Sequence, residues 1–197
     1  MLIYIRIYVF NVSIQKSIFI STFNSAPLSI DYDFAIYGMG DLFQKGLDYI
    51  TKLTRGKTHL NIDANTGSSK LFSSMKGVVV NHFSGPHPAG NVGVQIHHID
   101  PINKGDVVWY LNPQDVITIG RLFSQGIYDI SRIIALSGDQ VSKPRYHRTI
   151  AGAPIKNLLQ EGLKSGDNRI ISGDILTGTK INLDGNLGFY DLSLIHI

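Results

Sequence analysis

Cysteine is absent from this 197-residue chain, and no other feature of its composition excludes as much. Iron–sulfur clusters need thiolate ligands and structural zinc sites usually do, so the segment cannot hold a Cys-ligated cluster. It cannot form a disulfide either, which removes one argument for secretion and leaves a reducing compartment as the simpler expectation. Long apolar runs are missing too. Met1 to Phe10 is the best candidate, but Arg6 interrupts it and Asn11, Ser13, Gln15 and Lys16 follow, well short of the roughly 18 apolar residues a membrane span requires. Neither a basic start nor a small-residue cleavage site marks a signal peptide. Charged residues make up 17% of the chain with a formal excess of +3, and no basic run tracks a phosphate backbone, so nucleic acid is not the expected partner. A mildly basic face suits anionic lipid, an acidic partner protein or plain solvent equally well.

Two cofactor motifs are missing by one glycine each. Gly56-Lys57-Thr58 has the end of a phosphate loop, but the first glycine of that motif belongs at position 51, which is Thr51. Gly38-Met39-Gly40 has the start of a dinucleotide fingerprint, but its third glycine belongs at position 43, which is Phe43.

At 43% hydrophobic the chain has apolar material for one large or two small domains. Ser17 to Ser21, Lys57 to Ile62 and Gly77 to Val80 read as strands. Asp41 to Thr54 places Leu42, Phe43, Leu47, Ile50 and Leu53 at helical spacing, with Gly56 as a stop. Val107 to Leu111 reads as a buried strand, and Asn112-Pro113-Gln114-Asp115 then supplies an N-cap, a proline at the first helical position and acid in the first turn. That helix is expected to run to Gly126. Strand–helix alternation of this kind predicts an α/β layer with a largely parallel sheet. After about Ser131 the texture changes to short strands at Arg132 to Leu136, Tyr146 to Ile150 and Arg169 to Ser172. A hairpin at Lys180 to Leu187 and one short helix, Pro154 to Glu161, complete a smaller α+β domain.

Seven histidines raise the question of metal. His97 and His98 are neighbours, and neighbours leave a strand on opposite faces and a helix about 100° apart, so a shared ion is not expected. The stretch Ser84-Gly85-Pro86-His87-Pro88-Ala89-Gly90-Asn91-Val92-Gly93 is of another kind. Its two prolines fix φ while its three glycines open conformations closed to other residues, which makes a shaped loop. A structural turn explains it as well as a binding site does.

At this loop the sequence resembles a known family. Phe83 to Gly93 (FSGPHPAGNVG), then Ile96-His97-His98-Ile99-Asp100-Pro101, is similar to the A subunit of the Na+-translocating NADH:quinone oxidoreductases. Val108-Trp109, Gln114 to Gly120, Ala135 to Gly138, Lys143-Pro144-Arg145, Arg148-Thr149, Gly152-Ala153 and Arg169 to Gly173 extend the likeness in order from about Lys16 to Asp191. The resemblance implies a Rossmann-like α/β domain over 16–130 followed by a β-grasp, SLBB-like α+β module over 131–191, a fold related to the NADH-binding subunit of complex I. It implies a peripheral subunit on the cytoplasmic side of the bacterial inner membrane, with no redox centre of its own. Its partners would be the other subunits, which carry flavins and an iron centre, and its substrate ubiquinone; contact with the membrane would run through those partners. Ser84, Gly85, Pro86, His87, Pro88, Gly90, Gly93 and His97 become the candidates for a ligand or protein-contact surface, with no catalytic, cofactor or metal role expected of them.

Both ends depart from the family. Residues 1–15 do not resemble what precedes Lys16 there, as a frameshift or wrong start would produce. Leu192 to Ile197 (LSLIHI) is what a common transposon adapter encodes in frame, so these six residues are expected to be foreign to the domain. The alternative readings are a stand-alone β-grasp ligand-binding module and a soluble NAD-dependent dehydrogenase, the latter lacking the glycine loop it needs.

Overall fold

Ser17–Ser21, with β-branched and aromatic Ile18, Phe19 and Ile20 between two serines, opens the fold as strand β1, and all five residues are buried. The computed structural model describes residues 15–65, 70–159, 162–166 and 168–197. The expectation for the N-terminal segment therefore falls, apart from Gln15, outside the described residues, as does the end of the helix expected at Pro154 to Glu161. In chain order, β1 is followed by α1 (Tyr32–Ala35), α2 (Gly40–Ile50) with a 3-10 turn at Thr51–Leu53, β2 (Lys57–Asp63), α3 (Lys70–Ser73), β3 (Val79–Phe83), α4 (Val92–Ile99), β4 (Val108–Leu111) and α5 (Pro113–Gln125). Then come β5 (Ser131–Ser137), β6 (Arg145–Ile150), α6 (Lys156–Leu159), β7 (Ile170–Ser172), β8 (Thr179–Ile181) and β9 (Ser193–His196).

The chain divides into two units. One comprises the segment ending at Ser25 together with Tyr32–Asp129; the other comprises Ala26–Asp31 and Ile130–Ile197. The first is built on a four-stranded sheet of order β3-β2-β1-β4, parallel throughout, with Phe19 opposite His59 and Tyr110, and Asn61 opposite Asn81. Because β1 is followed by β2 on one side while β4 returns to its other side, right-handed crossovers put α2 and α4 on opposite faces of the sheet. Ile18, Ile20, Leu60 and Ile62, all buried, alternate to one face with period two; Phe19, His59, Asn61 and Asn81 share the other. Helix α5 lies beside α2, and two glycines set how close they come: a Cβ on Gly46 would stand 2.2 Å from the Val116 carbonyl oxygen, and one on Gly120 would stand 2.1 Å from that of Leu42. Asn112 caps α5 as its sequence predicts. Its side chain accepts from the amides of Gln114 and Asp115, the Asp115 side chain accepts from the Asn112 amide, and Gly126 ends the helix at φ 70.

The second unit carries a mixed five-stranded sheet, β6-β5-β9-β7-β8, parallel only between β5 and β9. Ile134, Leu136, Val141, Ile155, Leu159, Ile170, Leu187 and Leu194 form its core. The six residues read as foreign to the domain supply β9, which lies between β5 and β7. That strand position takes Leu194 and Ile195 into the core but buries His196 completely, with neither ring nitrogen hydrogen bonded. Burial pushes the His196 imidazole down to about 4.

Four local readings are corrected. Helix α2 stops at Ile50 and Leu53, on the 3-10 turn, is 46% exposed. The strand expected at Gly77 to Val80 begins two residues later, because Gly77 turns at φ 77. Strand β4 is an edge strand with Tyr110 exposed, not a buried one. No hairpin forms at Lys180 to Leu187: β8 pairs with β7, and the following turn sends Asn186 and Leu187 to pair with Ala153 to Ile155 through the bonds Leu187 N to Ala153 O (2.9 Å) and Ile155 N to Gly185 O (3.1 Å). Burial of Leu187, 2% exposed, favours this arrangement over an isolated two-stranded ribbon.

Candidate functional site

Open parallel sheets bind ligands where the strand order reverses, at the C-terminal ends of the strands on either side. In the first unit that point lies between β1 and β4, where Thr22 to Ser25 leave β1 and Asn112 leaves β4. The Gly/Pro loop that follows β3 reaches this place. It is folded by two successive turns, Ala89 N donating to Pro86 O (2.9 Å) and Asn91 N donating to Pro88 O (2.8 Å). Gly85 sits at φ 134, and the His87–Pro88 peptide bond is cis. Ser25 holds the loop: the Gly90 amide donates to Ser25 Oγ at 2.8 Å, and Ser25 Oγ lies 3.2 Å from Nδ1 of His87. Gly90 is glycine for lack of room, since a Cβ there would stand 2.2 Å from the Ser25 nitrogen and 2.9 Å from the Asn24 carbonyl carbon.

Of the eight candidates, Ser84, Gly85, Pro86 and Pro88 are exposed along the loop, and His87 and Gly90 are half-buried against Ser25. Gly93 falls in the first turn of α4 with open space around it, so nothing in its surroundings requires glycine. His97 stands apart on the exposed side of α4, its ring edge-on to His98 with centroids 5.8 Å apart. Among the described residues no cluster of three or more His, Asp or Glu side chains is placed to hold a metal ion.

Reading the residues alone misses what lies beneath the loop. Helix α4 begins at Val92 and carries Gln95 onto the polar face of the sheet, where Gln95 Oε1 accepts from Asn61 Nδ2 at 2.8 Å. Asn81 Nδ2 donates to Asn61 Oδ1 (2.9 Å) and lies 3.2 Å from Nδ1 of His59. The ring of His59 stacks on Phe19 with centroids 4.7 Å apart. Gln95 Nε2 in turn donates to Ala89 O at 3.4 Å, which joins this buried network to the loop. Burial lowers the pKa of His59, a shift that Asp100 opposes and Lys57 reinforces. The signal was Asn61, a fully buried amide in the strand sequence His59-Leu60-Asn61-Ile62-Asp63, because a buried amide needs partners.

With this geometry in view, comparison with known proteins is decisive. Residues 9–128 match the family described as the NqrA second alpha/beta domain, and residues 133–182 match the NQRA C-terminal domain. The chain belongs to the NqrA family, the A subunits of Na(+)-translocating NADH-quinone reductase. Relatives so named include those of Photorhabdus laumondii (44% identical over 168 residues, 85% of this chain and 37% of the relative), Pasteurella multocida (41% over 164 residues, 83% and 36%) and Hahella chejuensis (43% over 173 residues, 88% and 38%). The chain thus spans a little over a third of the length of these NqrA relatives. Its α/β unit with a parallel sheet, followed by an SLBB domain, is the fold class that the resemblance to this family implies. A crystal structure of an NAD+-reducing [NiFe]-hydrogenase in the H2-reduced state shares the fold, at TM-score 0.61 and 12% identity over 92% of this chain and 40% of that one.

Proposed function

We propose that this chain is part of the NqrA component of a Na+-pumping respiratory complex that oxidises NADH and reduces ubiquinone, and that it contributes to quinone binding and assembly without a redox centre of its own. The observation that carries the reading is 44% identity to an NqrA relative over 85% of the chain. Its partners are then the other subunits, with flavins and an iron centre on them, and its place is at the cytoplasmic side of the inner membrane. Among the described residues no helix is long and apolar enough to cross a membrane, which suits a peripheral attachment. The lack of cysteine, together with Thr51 and Phe43 where nucleotide loops need glycine, supports electron carriers residing elsewhere.

Within that function the loop from Ser84 to Gly93 is the quinone-facing or partner-facing element. Ser25 Oγ accepts from the Gly90 amide and has one proton left to donate to Nδ1 of His87. In the tautomer in which Nδ1 accepts from Ser25 Oγ, the ring proton sits on Nε2, where it can donate to a quinone carbonyl oxygen. Gly90 fixes the distance between loop and Ser25, and the buried Asn61–Gln95 pair fixes α4 beneath it. The test is to place Gly90→Val and His87→Ala in the assembled complex and to compare quinone reduction with electron transfer to an artificial acceptor.

A further inference from the structure

The opposite end of the first unit, where the strands begin and the helices finish, carries a surface that the proposed quinone site does not use. Helices α2 and α5 each follow a strand of the same parallel sheet, so they run side by side in the same direction and bring their C-terminal ends together. Tyr49 of α2 and Phe123 of α5 meet there with ring centroids 5.0 Å apart, and Lys52 lies 5.6 Å over the Tyr49 ring. Phe123 is nevertheless 61% exposed, with Ile127 at 54%, Leu53 at 46% and Ile102, on the connection into β4, at 55%. Large apolar side chains gathered at one end of a domain differ from the scattered ones that any surface carries.

Cations accompany them. From Ile50 to Ile62 the sequence holds Lys52, Arg55 and Lys57 and no acid, and Lys104 joins them beside Ile102. The acids at this end are already engaged: Asp100 and Asp106 hold Lys16 at 2.6 and 3.1 Å, and Asp48 of α2, one turn before Lys52, accepts from Gln44 Nε2 at 2.8 Å. Among the described residues Lys52, Arg55, Lys57 and Lys104 enter no ion pair. Lysine is depleted in the cores of protein interfaces, whereas aromatic and aliphatic groups rimmed by long cationic stems match the boundary of an anionic bilayer.

We infer that this end of the α/β unit is a contact surface for an anionic lipid bilayer, with Phe123, Ile127, Leu53 and Ile102 entering the headgroup layer and Lys52, Arg55, Lys57 and Lys104 meeting lipid phosphates. The inference stands on the surface alone, independently of the quinone reading. It is tested with the full chain by co-sedimentation with vesicles of phosphatidylcholine, with and without phosphatidylglycerol. The chain binds the anionic vesicles and binds neutral ones far less. Lys52→Glu with Arg55→Glu lowers that binding on the order of thirtyfold, at about one cation's contribution each, and Phe123→Ser with Ile127→Ser lowers it on the order of tenfold. Leu183→Ser, an exposed apolar position of the second unit, leaves binding unchanged, and circular dichroism verifies that each variant is folded. Equal binding to neutral and anionic vesicles, or none to either, overturns the inference. So does a result in which the variants lower the melting temperature without affecting vesicles, which would assign the patch to the chain's own residues before Gln15. Loss of association with the purified respiratory complex at unchanged vesicle binding would assign it to a protein partner and overturn the inference equally.

Discussion

His196 is the one large buried polar side chain of the second unit's central strand, and replacing it should stabilise the protein in a pH-dependent way. Its ring is fully buried with both nitrogens unpartnered, on a strand that lies between β5 and β7. A buried polar group without a hydrogen bond costs about 1–3 kcal/mol. His196→Leu removes that cost in exchange for some repacking, so a gain of about 1 kcal/mol near neutral pH is expected. The larger signature comes from protonation. Burial holds the folded-state pKa near 4, below the ordinary value of about 6.5. Above pH 6.5 the ring is neutral in folded and unfolded chains alike and contributes no slope. Between about 6.5 and 4 only the unfolded chain takes up the proton, so stability falls as pH falls. From pH 7.5 to pH 5 the loss attributable to this ring is about 2 kcal/mol. His59, lowered in the same direction, adds a slope common to parent and variant, which their difference cancels. Urea unfolding of both proteins at the two pH values measures it. The advantage of His196→Leu should widen by about 2 kcal/mol at the lower pH; an advantage that does not change with pH would show that the imidazole reaches water and is not buried as described.

Two other substitutions test the packing beneath the candidate site. Gly120→Ala should destabilise by about 2 kcal/mol despite alanine's better helix propensity, because its Cβ would press on the Leu42 carbonyl oxygen of α2; a neutral or raised melting temperature would mean that the two helices do not cross this closely. Asn112→Ala should cost about 1–2 kcal/mol through loss of the α5 cap, and Asn112→Asp should not recover it, because its carboxylate would replace the Nδ2 donor to the buried Asp115 carboxylate; equal melting of all three proteins would refute the cap.

The α/β layer was legible because its signals are local. Asn112, Pro113 and Asp115 announce α5, and the glycine at 126 ends it. Helix α4 was not legible: its N-cap Asn91 makes no side-chain capping bond, and the glycines and prolines up to Gly93 hide where the irregular backbone ends. The edge position of β4 depends on strand order, which no window of residues contains. In the second unit, Asp184-Gly185-Asn186 looks like a hairpin turn, but the burial of Leu187 against Ile155 and Leu159 decides its pairing. The loop at Ser84 to Gly93 stood out in the sequence through proline and glycine, yet its anchor, Ser25, lies more than 60 residues away and is an ordinary serine until the fold brings it there.

The measurement that bears most directly on the proposed function is the ratio of NADH-driven ubiquinone reduction to NADH-driven reduction of an artificial acceptor, taken on the assembled complex carrying Gly90→Val or His87→Ala in this chain. A valine at 90 drives the loop off Ser25, and alanine at 87 removes the imidazole while keeping both prolines. Both should lower the quinone rate at least tenfold, a barrier change of about 1.4 kcal/mol, with acceptor reduction and subunit content unchanged. A harmful Gly90→Val beside a silent His87→Ala would reduce the loop to scaffolding. Parent-like ratios for both assembled variants would contradict the claim that this loop serves quinone reduction.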